Sequence, residues 1–430
     1  MGQAGTVFIL AAGESTRFLA DGPKVLQPLC GRSMLAYVLD QARALHPDRI
    51  VCVVGHRAAE VRTAFGDQAD VTFVDQGERL GTGHALRVAF ESCDAVSGPV
   101  VVLYGDMPLV RAQSLQTLVG RLSEARASVL TIHASRPRGF GRILRDTTAE
   151  FRAIVEEKDA TPEERLIDEV NLGVYAFRED DLARLLPQLS NENAQGEYYL
   201  TDVLGMLFGE GQRIAAVALE DEREAIGVNT LEHLSEARRA IQERILLGHL
   251  ERGVLIEDPA STYIDHDVEI AAGARILPCT VIREGVRIGK DCEVGPFTHL
   301  RAGTVLDDGA EVGNFTEAKK AHIGSGTKAK HLTYLGDVDI GPGANIGAGT
   351  IVANYDGKKK HKTTIGRDAF VGSGSILIAP CTVGDGAMTG AGAVVTRNSV
   401  VPPGEAWVGV PARSLKHRSA TSGRDSGAAK

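Results

Sequence analysis

No apolar run in this 430-residue chain is long enough to cross a membrane, and the N-terminus carries no leader pattern. A membrane protein is not expected; a cytoplasmic one is. Cysteine is sparse and scattered: six residues (Cys30, Cys52, Cys93, Cys279, Cys292, Cys381) with no C-x-x-C pair. That argues against a disulfide framework or a cysteine metal site and predicts reduced thiols. Positive charge is in deficit, 47 Lys and Arg against 56 Asp and Glu. A net charge of −9 makes nucleic acid a poor candidate partner. The length exceeds what one compact core organises, so two or three domains are expected.

What the chain has in excess is glycine, 49 residues concentrated in the C-terminal half. There an apolar residue returns at every sixth position: Ile264, Ile270, Ile276, Ile282, Ile288, Val294, Leu300, Leu306, Val312 and Ala318. Neither a helix nor a hairpin favours that period. A triangular coil does, because three short strands complete one turn and each sends one aliphatic side chain to the axis. The beat slips at 319–322 and 336–339, jumps thirteen residues from Val352 to Ile365, and then continues to Val395. The jump holds Asn354-Tyr355-Asp356-Gly357-Lys358-Lys359-Lys360-His361-Lys362. Insertions in a solenoid become surface loops and often carry its function. Glycines one place after the apolar position, such as Gly347, Gly372 and Gly390, are expected at the corners, where the chain turns. A parallel β-helix follows; its left hand is implied by resemblance to other hexad-repeat proteins.

In the N-terminal half, Thr6 to Leu10, Ile50 to Val54 and Val100 to Leu103 are continuous apolar runs alternating with helical patterns. This predicts an α/β, Rossmann-like domain with a mostly parallel sheet covered on both faces. Ligands then bind beyond the carboxyl ends of the strands. The small-residue loop 11–17 lies at one such end and lets backbone N–H groups approach a phosphate, with Arg17 and Lys24 adding positive charge. Asp106, at another, is either a magnesium ligand or a helix N-cap. Gln76 with Gly81 and Thr82 suits a planar base, or is a plain turn into a helix.

Together, Leu10-Ala11-Ala12-Gly13, Thr16-Arg17, Pro23-Lys24-Val25-Leu26, Gly81-Thr82-Gly83-His84-Ala85 and Tyr104-Gly105-Asp106 resemble the sugar-1-phosphate nucleotidyltransferases. With the hexad half added, residues 5–411 resemble the bacterial bifunctional N-acetylglucosamine-1-phosphate uridylyltransferase/glucosamine-1-phosphate acetyltransferases, the GlmU family. The resemblance implies that Leu10, Ala11, Ala12, Gly13, Arg17 and Lys24 meet the nucleotide, with Gln76, Gly81 and Thr82 on uracil. It implies Mg²⁺ on Asp106 and Asn229, and sugar phosphate on Gly141, Glu156, Asn171 and Asn229. The reaction implied is attack of the sugar phosphate on UTP with loss of pyrophosphate, feeding peptidoglycan synthesis. Ser15 departs from the family's usual glycine.

In the hexad half, Arg301, Lys319 and His331 each follow an apolar position closely, so stacked coils are expected to gather them. Lys319, Lys320, Lys328, Lys330, Lys358, Lys359, Lys360 and Lys362 crowd the same region. A run of lysines is ordinarily a solvated loop, and a lone histidine is ordinarily structural. His331 nevertheless suits the base that an amine needs when it attacks a thioester. The resemblance implies amino-sugar phosphate on Arg301, Lys319, Tyr334 and Asn345. It implies acetyl-CoA on Ala348, Asn354, Tyr355, Ser373 and Ala391, and a homotrimer. Where the family places an arginine for CoA phosphate this chain has Gly409, with Arg413 nearby.

The expected organisation is a nucleotidyltransferase domain over 1–229, a linker helix over 230–252, a left-handed β-helix over 253–411 and a disordered tail over 412–430. One apolar stripe (Leu231, Leu234, Ile241, Ile245, Leu250) is expected on the linker helix.

Overall fold

The computed structural model describes residues 4–13, 18, 21–66 and 68–415. Ser15, Arg17 and the part of the expected tail from 416 onward lie outside them. The chain divides into two compact units, Met1–Ile241 and Gln242–Lys430.

The first unit is built on a nine-stranded sheet. Thr6–Leu10 sits at its centre, parallel to Arg49–Val54 on one side and Pro99–Tyr104 on the other. Val71–Asp75 extends the parallel part. Glu169–Arg178 runs antiparallel between Pro99–Tyr104 and Ala127–His133, and the hairpin of Arg142–Arg145 and Phe151–Val155 adds a second antiparallel stretch to the mostly parallel sheet. The continuous apolar strands have a simple cause. Val7 and Ile9 join one hydrophobic cluster while Phe8 and Leu10 join another, so both faces are covered. Helices Met34–Arg43 and Ala112–Gly120 supply one cover; Thr82–Glu91 and Thr201–Gly209 supply the other.

Three strand exits share one edge of this sheet. Ala11 donates to the Val53 carbonyl at 2.8 Å, Gln76 to Val54 at 2.9 Å and Gly105 to Leu10 at 2.9 Å. These bonds prolong the ladders by one step and gather the three loops.

Helix Leu231–Glu251 begins in the first unit and ends in the second. Gly253, at φ +86°, terminates it. Its apolar stripe is narrower than expected. Leu234, Ala237 and Ile241 are buried, whereas Leu231 and Leu250 are exposed.

The second unit is a parallel β-helix. Ile270, Ile288, Leu306, Ile323, Ile340, Ile365, Val383 and Val401 form one inward ladder, each the neighbour of the next. Ile264, Ile282, Leu300, Ala318 and Leu335 form a second. These side chains are 0–8 % exposed, so each coil buries its aliphatic residues only against its neighbours. The two short slips fall within single strands, Glu317–Ile323 and Tyr334–Ile340, that run through a tightened corner. There Lys320 and Asp337 hold φ near +47° and +49° without a glycine. Thr389 keeps the beat although it is polar, because its hydroxyl meets the Ser375 hydroxyl at 2.9 Å and accepts from the Gly372 N–H at 3.0 Å.

Of the glycines that follow the apolar positions, Gly295 has φ +110°, but Gly347, Gly372 and Gly390 do not make the turns, contrary to expectation. Gly349, two residues after Gly347, has φ +71° and does turn the chain. Gly347 has no positive φ; a Cβ there would lie 2.5 Å from the Ser373 nitrogen of the next coil. Its lack of a side chain lets backbones stack. Pairing also continues past 411, since Arg413–Ser414 lies antiparallel to Ala406–Val408.

Candidate active sites

The first constellation forms where the parallel strands end. Lys24 follows Pro23 in a single helical turn whose Val25 is buried, which fixes the lysine's stem. Its ammonium donates to the Asp106 carboxylate at 2.7 Å and to the Asn229 side-chain carbonyl at 3.0 Å. The Val228 N–H donates to the Asp106 carbonyl at 2.9 Å, bringing Asn229 to the strand end from far along the chain. The Asn229 N–H in turn reaches the His233 Nδ1 at 3.3 Å. Asp106 caps no helix: its carboxylate takes the Lys24 ammonium, and the next helix, Ala112–Gly120, starts after Arg111.

Leu10 and Ala12 are buried at the same edge, and Gly13 is exposed beyond them. Gln76 is buried; its amide donates to the Gly81 carbonyl at 3.1 Å and lies 3.4 Å from the His84 Nδ1. Thr82 opens the helix, and its hydroxyl accepts from the Leu200 N–H at 3.2 Å. Gly81, at φ +105°, packs on the Tyr198 backbone, with no room for a side chain.

Beside these, Asn171 donates its N–H to the Gly141 carbonyl at 2.9 Å. The Asn171 side chain is engaged at both ends, by the Tyr175 hydroxyl at 2.8 Å and the Gly173 N–H at 2.9 Å. Glu156 accepts from the Thr201 hydroxyl at 3.4 Å. Burial raises the Glu156 pKa; the Thr201 bond opposes this, and the acidic neighbours Asp159, Asp202 and Glu197 reinforce it. Burial likewise holds the Tyr104 phenol above its ordinary range, against a hydrogen bond with Thr82. Sequence reasoning passed over Tyr104, His84 and Thr201 as site residues. Nothing local in the sequence distinguishes Thr201 from a helix start.

The second constellation lies on the β-helix. Arg301 and Lys319 are direct neighbours in adjacent coils. Arg301 also donates to Glu317 at 2.7 Å. Lys319 is held below its ordinary pKa, first by a side-chain contact with Lys360 and then by the charges of Lys360, Arg301 and Lys320. Three cations thus converge, and of them Arg301 carries the counter-charge of Glu317.

Three other lysines of the crowded region have carboxylate partners. Lys330 meets Glu311 and Glu293, Lys328 meets Glu311, and Lys362 meets Asp339. His331 does not share the column of Arg301 and Lys319, as the hexad count suggested. That column continues to Gly336, whereas His331 pairs with Asn314. Lys319 and His331 are 12 residues apart, short of the 18 that separate Arg301 from Lys319 by one full turn, so His331 falls on another face.

Tyr334 neighbours Glu317, and Asn345 neighbours Lys328 and Phe370. Buried Asn354 donates to Asp337. Gly336 makes this possible, because a Cβ there would lie 2.7 Å from both the Asn354 amide nitrogen and the Tyr334 hydroxyl. Ala348, Ser373 and Ala391 line one corner. Gly374 donates to the Ala348 carbonyl at 2.7 Å and Gly392 to the Ser373 carbonyl at 2.8 Å. All three are exposed. Gly409, at φ +92°, and exposed Arg413 lie at the last coil, where the Arg413 guanidinium donates to the Ala412 carbonyl at 2.9 Å.

Comparison with known proteins agrees with this division. Residues 7–198 match the MobA-like NTP transferase domain, and residues 362–397 match the bacterial transferase hexapeptide of six repeats. The hexapeptide match accords with a left-handed coil. The bifunctional protein GlmU of Trichlorobacter lovleyi is 41% identical over 431 residues, covering 92% of this chain and 93% of that protein. The GlmU of Acinetobacter baylyi is 40% identical, covering 91% and 93%. That of Thermobifida fusca is 43% identical, covering 95% and 93%. Likeness at this level across nearly the whole length of each, with both constellations in place, means that the chain belongs to the GlmU family of bifunctional uridylyltransferase–acetyltransferases.

Proposed function

We propose that the two constellations are the two active sites, each complete in its chemistry and each served by the residues named above. The observation that carries this reading is the Lys24 ammonium shared between Asp106 and Asn229. Two hard oxygen acceptors meet on one cation, the donor set that Mg²⁺ prefers. Among the described residues no three His, Cys, Asp or Glu side chains converge as a metal cage. Asp106 and Asn229 would be the residues that hold such an ion. When bound, it supplies charge stabilisation to the phosphates.

In the first site the sugar phosphate oxygen attacks the α-phosphorus of UTP, and pyrophosphate leaves. Lys24 neutralises the developing charge, while Gln76, Gly81 and Thr82 hold uracil and Leu10 to Gly13 cradle the nucleotide. Glu156, Gly141 and Asn171 position N-acetylglucosamine-1-phosphate. Alignment and charge spreading account for most of the rate.

In the second site Arg301, Lys319 and Lys360 bind the phosphate of glucosamine-1-phosphate, with Tyr334 and Asn345 on the sugar. The amine nitrogen bonds to the acetyl carbonyl carbon, the carbon–sulfur bond breaks, and His331 takes the proton and passes it to the departing thiolate. Ser373, Ala348, Ala391, Asn354 and Tyr355 line the acetyl-CoA groove, and the Ser373 hydroxyl donates to the thioester oxygen as charge builds on it.

The protein acts in the cytoplasm as a homotrimer, with the acetyl-transfer groove between copies. An apolar ridge supports this, because Phe297, Phe315 and Leu332 are 52–62 % exposed on successive coils. Phe297 and Phe315 stack at 5.2 Å. The functional boundaries are those read from sequence: uridylyl transfer within 1–229 and acetyl transfer within 253–411.

An assay with glucosamine-1-phosphate, acetyl-CoA, UTP and Mg²⁺, each omitted in turn, tests this reading. UDP-N-acetylglucosamine is expected only from the full mixture, and N-acetylglucosamine-1-phosphate is expected to replace the first sugar and acetyl-CoA together. Pyrophosphate release at full rate without acetyl-CoA, from the unacetylated sugar, overturns it.

A further inference from the structure

The loop inserted at the long jump carries four lysines and one carboxylate, Asp356. Left to itself, such a run repels its own charges and swings in solvent. Here it is closely tied. Asp356 Oδ1 accepts from the Lys358 N–H at 2.8 Å and the Lys359 N–H at 2.7 Å, which closes the turn. Its Oδ2 accepts from the Arg397 guanidinium at 2.9 Å and lies 2.7 Å from the His361 Nε2. Arg397 belongs to a later coil and also donates to the Ala379 carbonyl at 3.2 Å, so it is braced against the body of the coil. The Tyr355–Lys360 bridge and the His361 N–H to Asn354 bond at 2.8 Å complete the loop.

What this arrangement achieves is visible at Lys360. Its ammonium is held within reach of Lys319, although the two repel and Lys319 loses proton affinity as a result. Two like charges stay together only if something else fixes one of them. Arg397–Asp356 is the tie that anchors the loop by ionic contact to a later coil.

We propose that the Asp356–Arg397 pair is a positioning device for acetyl transfer, fixing the inserted loop so that Lys360 stands beside Lys319 and receives the amino-sugar phosphate. The inference rests on the reading of Arg301, Lys319 and Lys360 as the phosphate site. Neither Asp356 nor Arg397 touches substrate. Both oxygens of Asp356 are taken by the chain itself, and a phosphate is repelled by a carboxylate.

The test compares Asp356→Asn, Arg397→Ala, Arg397→Lys and the double variant in the full chain. Thiol release from acetyl-CoA reports acetyl transfer, and pyrophosphate release reports an intact first site. Loss of one anchoring ion pair of this exposure predicts a rise of about three- to five-fold in KM for glucosamine-1-phosphate. The kcat is expected to stay within about two-fold, with uridylyl transfer unaltered. Arg397→Lys should recover part of the loss, and the double variant should be no worse than Asp356→Asn, because both act through one contact. Unchanged KM in Asp356→Asn and Arg397→Ala overturns the proposal. So does a fall in kcat and thermal stability with KM untouched, which marks a merely structural tie. Lys319→Ala and Lys360→Ala separate the two levels. If these leave KM unchanged, the phosphate-site reading itself fails; if they raise it and the anchor variants do not, only the positioning role fails.

Discussion

Lys24 and Asp106 are 82 positions apart in sequence, yet the ammonium of one lies 2.7 Å from the carboxylate of the other. Both side chains are largely covered, at 11% and 22% exposure. The pair places a fixed positive and a fixed negative charge at the mouth of the parallel sheet, where the loops after Leu10 and Tyr104 meet. On the proposed reading the first charge meets a polyphosphate and the second a divalent cation.

From this follows a separation of activities. Asp106→Ala removes the carboxylate of the pair proposed for Mg²⁺ and should lower uridylyl transfer by about 100-fold or more, the scale of losing one preorganised electrostatic group. Acetyl transfer should remain at its original rate, because the second constellation lies entirely within the other compact unit. Pyrophosphate release and thiol release, measured on the same preparation, check both halves.

The coil makes a prediction about its glycines. Gly347→Ala forces a Cβ against the next coil's backbone, 2.5 Å from the Ser373 nitrogen and 2.7 Å from the Gly372 carbonyl carbon. Neither atom can rotate away, so the cost should be about 2 kcal/mol or more. Gly349→Ala meets only the backbone of Gly374 at 3.6 Å and is penalised for its φ of +71° alone, by about 1 kcal/mol. Denaturant melts of the two variants should rank them in that order. The reverse ranking means the turn, not the stacking, limits the coil.

This pair also shows what the sequence could and could not tell. The period of six was legible because each inward side chain must be apolar, whatever lies next to it. The reason for each glycine was not, since a tight turn and a close backbone approach leave the same letter. The first site was legible at its strand ends, where Leu10, Asp106 and Gln76 close buried strands or follow directly on them. Thr201 and Tyr104 were not, because their partners, Glu156 and Thr82, are distant in sequence. The column count placed Arg301 and Lys319 correctly and His331 wrongly. The 12 residues from Lys319 to His331 make only two thirds of a turn, so a shared place after an apolar residue does not mean a shared face.

Acid sensitivity should centre on His249. It is 1% exposed at the end of the long helix, and its Nδ1 lies 3.0 Å from the Arg252 guanidinium. Burial first, and the Arg252 charge second, lower its pKa from 6.5 to about 4. In the folded chain the ring therefore stays neutral where the unfolded chain has already bound a proton. Between about pH 6.5 and 4 the unfolded state holds more protons, so stability falls as pH falls through that window. The loss attributable to this residue approaches about 3 kcal/mol. His249→Gln, which keeps an acceptor and cannot charge, should flatten the stability–pH curve in that interval while leaving it unaltered above pH 7. Equilibrium unfolding at pH 7 and pH 4.5 decides it; equal slopes for both proteins remove His249 from the account.

The acetyl-transfer base gives the sharpest contrast between a structural and a chemical role. His331 is exposed, and its backbone is held without help from its ring: it pairs with Asn314, and its carbonyl accepts from the Thr333 hydroxyl at 2.6 Å. Replacing the ring should therefore cost the coil almost nothing. His331→Ala should melt within a degree or two of the parent, by the rule that exposed substitutions away from special features stay within about 0.5 kcal/mol. It should nonetheless lose about 10²- to 10⁴-fold in acetyl transfer, the worth of a positioned base. KM for both substrates should change little, because the cations that hold the phosphate and the groove that holds the thioester are built from other residues. A variant that keeps full acetyl transfer removes His331 from the chemistry, and one that loses activity only together with its fold shows that the ring supports the corner.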